Sequence, residues 1–259
     1  MSANDALLLI GHGSTRYPEA GNILRRQVDL LRANKLFAHI GMGLLNGSPS
    51  VSDALSAVRS PTIRVVPFFM EDGYFSRVAV PRTIVLAEAD RADDPGTPPR
   101  ITMCPPVGVH DGMAGIIERQ ALSACAALGV PSHQAAVIVI GHGSANAPGQ
   151  ALALHRHAAR VASTTLFARV EAACLEEAPF VADTLAALRS HPVVVIGFFA
   201  NQGGHMRDDV PGLIAAEEAA APRRVRFQGS VSDDPAMAEV VLDQARQGRS
   251  PMGVRLGVV

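Results

Sequence analysis

The sequence predicts an α/β protein made of two tandem doubly wound domains with parallel sheets, related by internal duplication. Three observations predict it. The segment IGHGSTR at 10–16 returns as IGHGSAN at 140–146, and residues 6–85 align with 136–215 without a gap, about a third of the pairs being identical. Within each half, short continuous apolar runs alternate with helical stretches, the pattern of a parallel sheet covered on both faces. A chain of 259 residues that is 48% hydrophobic can also fill two cores of about 130 residues each.

Each element follows in order. The runs ALLLIG and AVIVIG open the halves, and helices follow from about Pro18 and Pro148. The next runs end at Leu45 and Leu175, and second helices start at Pro49 and Pro179. TIRVVPFF and PVVVIGFF give third strands, each followed by a helix, then fourth strands at ITM and VRF and closing helices near 112–128 and 234–246. Beyond residue 85 the offset shortens from 130 to 124, because ADRADDPGTPPR is longer than its counterpart; its Asp, Pro and Gly content reads as a surface loop. LGVPSHQ at 128–134 reads as the hinge, so the domains are expected at 1–130 and 131–259. The apolar tail MGVRLGVV has no counterpart in this scheme.

Composition narrows the function. The formal charge of −1, with no Lys/Arg run longer than a pair, gives no field for nucleic acid or an anionic membrane surface. Cys104, Cys125 and Cys174 are odd in number and far apart, which argues against a disulfide framework, a zinc ribbon or a cysteine-held cluster. The N-terminus has no basic region, and no apolar stretch reaches membrane length. A soluble protein of the cytoplasm is expected, with neither nucleic acid nor membrane as partner.

Ligands of open parallel sheets bind at the carboxyl ends of the strands, where both GHGS loops fall. Glycines on either side of His12 and His142 permit a tight turn and a close backbone approach, while the imidazole projects from a rigid strand end. A lone histidine there is more often a turn residue than a ligand, so the third loop has to decide. In it Phe75 aligns with His205, Val78 with Asp208 and Ala79 with Asp209. The second half therefore presents two imidazoles at one sheet edge, enough to bind a divalent transition metal, and the first presents one. Asp209, four residues after His205, is placed either to orient that ring or to stand as a solvated helix charge.

The GHGS loop, the G-x-H with D-V-P after the third strand, and LEEAPFVADTL between them resemble the sirohydrochlorin chelatases of the CbiX type, class II chelatases, across nearly the whole chain. The resemblance implies a chelatase-like fold with a cleft between two lobes. It also implies insertion of Co²⁺, or Fe²⁺ in relatives, into sirohydrochlorin without ATP. Metal and macrocycle are then substrates, and no permanently bound cofactor is expected. Carried over, the family's histidines fall on His142 and His205 and its acidic residue on Glu176 or Glu177. In the first half Asn46 aligns with Glu176 and Phe75 with His205, so that half is expected to be degenerate.

Insertion exchanges a hydrated ion for two pyrrole N–H protons and needs weak ligands and a base near neutral pH, both within imidazole chemistry. His142 is assigned proton removal and metal delivery, His205 metal docking, and Glu176 assistance at the metal. Ser144, the N–H groups of Gly141 and Gly143, and Arg207 are the donors assigned to the substrate's carboxylates. Arg77 at the equivalent position weakens the case for Arg207. No G-x-S-x-G elbow supports a hydrolase, and glycine stands before each histidine where a histidine phosphatase needs arginine. The alternative is a non-catalytic carrier that holds a metal or a tetrapyrrole.

Overall fold

A computed structural model describes residues 3–90, 98–146, 149–201, 203, 205–220 and 224–248, and only the backbone of Pro18 and His205. Most of the Asp/Pro/Gly-rich insertion, and the tail from Met252, lie outside the described residues.

The first sheet contains β1 (Ala6–Gly13), β2 (His39–Asn46), β3 (Thr62–Pro67) and β4 (Arg100–Met103), all parallel, in the order β2-β1-β3-β4. The second contains β5 (Ala136–Gly141), β6 (Arg169–Cys174), β7 (Val193–Gly197) and β8 (Val225–Ser230), in the order β6-β5-β7-β8. The two orders are the same, as duplication requires. Helices α1 (Asn22–Arg32), α2 (Val51–Ser56), α3 (Val80–Ala89) and α4 (Met113–Leu128) follow the strands of the first half. Helices α5 (Leu152–Ser163), α6 (Val181–Ala187), α7 (Val210–Ala220) and α8 (Met237–Gln247) follow those of the second.

The apolar runs form strands because both their faces are covered. Leu7, Leu8, Leu9 and Ile10 of β1 are all fully buried, and only a two-sided sheet hides consecutive residues. Leu8 and Ile10 pack with Val51 and Leu55 of α2 and with Val80 and Ile84 of α3. Ile138 and Ile140 of β5 do the same with Val181, Leu185, Val210 and Ile214. Burial of each such side chain stabilises the fold by about 1.5–3 kcal/mol.

The compact units differ from a cut at 130/131. One takes in the residues up to His110 together with α8; the other is Asp111–Ala236, which includes α4. Each closing helix thus covers the sheet of the other half of the sequence. Helix α8 packs on β3 and α1, where Gln244 Nε2 donates to the Pro106 carbonyl at 2.6 Å and Arg64 Nη1 to that of Ala245 at 2.9 Å. Helix α4 packs on β7, β8 and α5, where Gln120 Nε2 donates to the Ser230 carbonyl at 3.4 Å and Arg119 meets Asp234 at 2.9 Å. Gln120 and Gln244 occupy equivalent places in the repeat. A closing helix follows its own fourth strand in sequence whichever sheet it covers, so the alternation of elements could not reveal the exchange.

Among the described residues no helix is long and apolar enough to cross a membrane. Cys104, Cys125 and Cys174 are buried free thiols, and burial pushes the Cys104 thiol up to about 11.

Candidate functional site

In each sheet the chain runs outward from the first strand to the second and then returns to the third, so the direction of winding switches between β1 and β3 and between β5 and β7. In open parallel sheets such a switch point is where ligands bind, outside the carboxyl ends of the strands. The GHGS loops and the loops carrying Phe75 and His205 all lie at these switch points. In the second unit the main chain is drawn together by the Phe198 N–H, which donates to the Ile140 carbonyl at 2.6 Å.

His142 lies one residue beyond the end of β5, and its side chain is 46% exposed, as is that of Glu176. Its carbonyl accepts from the N–H groups of Leu175 at 3.1 Å and Glu176 at 2.9 Å, which ties the strand end to the loop after β6. Nδ1 lies 3.0 Å from the Gly143 carbonyl and 3.6 Å from Glu176 Oε2. With the proton on Nδ1, the ring donates to that carbonyl, faces the carboxylate and carries its lone pair on Nε2. A carboxylate beside an imidazole of this kind orients the ring as a metal ligand.

The two acidic residues at this position do different things. Glu176 is open to solvent beside His142, whereas Glu177 is 6% exposed and turns inward, its Oε2 accepting from the Gly149 N–H at 2.6 Å. Gly143 has φ +70°, and a Cβ there would lie 2.6 Å from Glu177 Cγ and 2.8 Å from Cys174 Cβ. A Cβ on Gly141 would lie 2.8 Å from Leu154 Cδ2. The space that these glycines open is thus filled by the protein itself.

His205 opens a π-helical turn, His205–Asp209, that leads into α7; its side chain lies outside the described residues. The structure brings His142 and Glu176 together and places His205 by its backbone, at the loop after the neighbouring strand. Ser144 is half-buried in the GHGS loop, and Arg207 is exposed on the π-helical turn with Asp208 and Asp209. Among the described residues no three histidine, cysteine, aspartate or glutamate side chains gather as a metal cluster.

The first unit keeps the frame and changes the chemistry. Its π-helical turn is Phe75–Ala79, at the equivalent position. The Phe75 ring meets the His12 ring edge-on at 4.7 Å and stacks on Phe69 at 5.7 Å. His12 is half-buried within β1, because here the ladder runs on to pair Gly13 with Asn46, and its Nδ1 has no hydrogen-bond partner among the described residues. Burial holds this imidazole below its ordinary value of 6.5. Arg77 is engaged by Asp72 at 2.9 Å.

The sequence pointed to Glu176 at the metal and offered no role for Gly149 or for a buried Glu177. A glycine aligned with Glu177, Gly47, was the available signal, since a residue that one repeat does without is not needed for the frame.

Two four-stranded parallel sheets of one topology, each with a histidine loop at its switch point, define a chelatase-like α/β protein. The chain belongs to the CbiX family of sirohydrochlorin chelatases, which it matches twice, over residues 6–124 and 136–248. It is 26% identical to a probable sirohydrochlorin cobaltochelatase of Halobacterium salinarum, over 96% of this chain and 93% of that protein. Its fold matches SirB of Bacillus subtilis, solved with Fe³⁺, with a TM-score of 0.78 at 19% identity over 93% of this chain and 94% of the other. It also matches a multi-domain Deinococcus radiodurans protein, DR2241, described as structurally similar to chelatases, with a TM-score of 0.79 at 25% identity. This chain spans 55% of that protein's length and the match covers 95% of this chain.

Proposed function

We propose that the protein inserts a divalent metal ion, Co²⁺ or Fe²⁺, into sirohydrochlorin without ATP, and that the second unit performs the chemistry. The observation that carries this reading is the pairing of His142 Nδ1 with Glu176 Oε2 at 3.6 Å on an exposed strand end, where the first unit has a half-buried His12 against Phe75. Pyrrole protons leave as the metal enters, so a base must lie beside the ligand. His142 serves as proton acceptor and delivers the ion, Glu176 stabilises the imidazolium that forms, and His205 docks the metal from the loop after β7. Ser144, the N–H groups of Gly141 and Gly143, and Arg207 hold the substrate carboxylates. The first unit, with Phe75 and Asn46 in place of His205 and Glu176, carries no metal site of this kind.

The test is to mix the purified chain with sirohydrochlorin and Co²⁺ or Fe²⁺ and follow the absorbance change against the uncatalysed rate. Acceleration that saturates in both substrates is expected. Tight binding of either substrate without acceleration would make the protein a carrier. Running both metals in parallel also decides which of them it inserts faster.

A further inference from the structure

We propose that Glu177 is a positioning residue, a buried latch that ties Gly149 to the ground beneath Gly143 and thereby aims His142. The inference rests on the site reading above and extends it to a residue that touches neither metal nor macrocycle. The side chain runs beneath Gly143, where a Cβ would lie only 2.6 Å from its Cγ, and reaches the far end of the loop, where Oε2 accepts the Gly149 N–H at 2.6 Å. Both ends of the loop are therefore held by one side chain. Gly143 is also the residue whose carbonyl lies 3.0 Å from His142 Nδ1, so the placement of Gly143 sets the orientation of the ring and the direction in which Nε2 points.

The energetics argue that the latch serves the site. Glu177 is 6% exposed, and its Oε1 is buried with no hydrogen-bond partner among the described residues. A buried carboxylate with one oxygen unsatisfied costs stability. The fold does not require that cost: the first unit reaches the same strand order with Gly47 at this position. There the ladder continues to Gly13 and Asn46, so strand pairing reaches the start of the loop. In the second unit the β5–β6 ladder stops at Gly141 and Cys174, the His142 carbonyl still takes the Leu175 and Glu176 N–H groups, and Glu177 adds a side-chain hydrogen bond at the far end of the loop. The half that exposes its histidine is the half that carries the latch.

Glu177→Ala and Glu177→Gln in the full chain test this, with His142→Ala as the control. Co²⁺ alone is titrated and followed by its visible absorption, the KM for Co²⁺ and kcat are separated in the insertion assay, and melting is measured in the presence of chelator. Glu177→Ala is expected to weaken Co²⁺ binding and raise the KM for Co²⁺ about tenfold, at the lower end of what outer-sphere partners contribute. Glu177→Gln should stay within about twofold of wild type, since its amide oxygen still accepts the Gly149 N–H. Unchanged Co²⁺ affinity in Glu177→Ala beside a lowered melting temperature would make the residue merely structural and overturn the proposal. Equal losses in the two variants would overturn it too, because the charge and not the hydrogen bond would then be acting. If Glu177→Ala does not fold, amide exchange at Gly149 in Glu177→Gln decides: retained protection supports the latch and lost protection overturns it. Wild-type Co²⁺ binding by His142→Ala would show that the site reading had failed, whatever Glu177 does.

Discussion

A histidine's surroundings decide whether it can act on a metal, and the duplication supplies the comparison within one chain. His142 is exposed beside Glu176, and His12 is half-buried against Phe75. His142→Ala and His205→Ala are expected to lose at least about a hundredfold in insertion rate, the scale of a lost proton acceptor. His12→Ala should keep most of the activity. Steady-state kinetics of the three variants on one sirohydrochlorin preparation would check this, and a His12→Ala variant as inactive as His142→Ala would refute the one-site reading. The pH dependence of stability also has a sign. Burial holds His12 below 6.5, and burial together with Arg32 holds His39 below it. Above about pH 6.5 both rings are neutral in the folded and unfolded chain and contribute no slope. As the pH falls through that value the unfolded chain takes up protons first, so stability declines toward the lower folded values. The urea midpoint should be lower at about pH 5.5 than at about pH 7.5, and His12→Leu should narrow the gap. The same gap in the variant would remove His12 from the account.

Among the elements, the second helices of the two halves start differently. Helix α2 starts with a capping box: Ser50 Oγ accepts from the Asp53 N–H at 3.1 Å, and Asp53 Oδ2 accepts from the Ser50 N–H at 2.9 Å. These hydrogen bonds favour the ionised carboxyl and hold Asp53 below its ordinary value. Helix α6 has Phe180 at its N-cap, 45% exposed and with no side-chain cap, although Asp183 stands where the box needs it. Phe180→Ser should rebuild the box and stabilise the chain by about 1 kcal/mol. Urea unfolding measures the gain. No gain would mean that the Phe180 ring packs usefully enough to offset the missing cap.

For the molecule as a whole, the placement of the closing helices determines what each end of the chain supports. Val240, Val241 and Ala245 of α8 are buried in the unit built on β1–β4, although they come last in sequence. A chain ending at Ala236 is expected to lose amide-exchange protection in β3 and α1, the elements α8 packs on, and to keep it in β5 and β7. Loss confined to β5–β8 would contradict the exchanged arrangement. Co²⁺ soaked into crystals should bind beside His142 at about 2.0–2.2 Å from a ring nitrogen. Density beside His12 alone would move the site to the other unit.

The sequence by itself determined the repeat, the eight strands and the helices after them, because apolar runs bounded by Gly and Pro leave few other ways to bury such surface. It also determined the inequality of the two halves, since His205 aligning with Phe75 is a difference of side-chain chemistry that needs no coordinates to read. Tertiary structure alone decided the rest. Which sheet a closing helix covers depends on packing between segments more than a hundred residues apart, and local periodicity carries no record of it. Glu176 and Glu177 are adjacent and chemically identical in sequence. Only the end of the β5–β6 ladder at Gly141, and the space beneath Gly143, turn one of them toward His142 and bury the other against the Gly149 N–H.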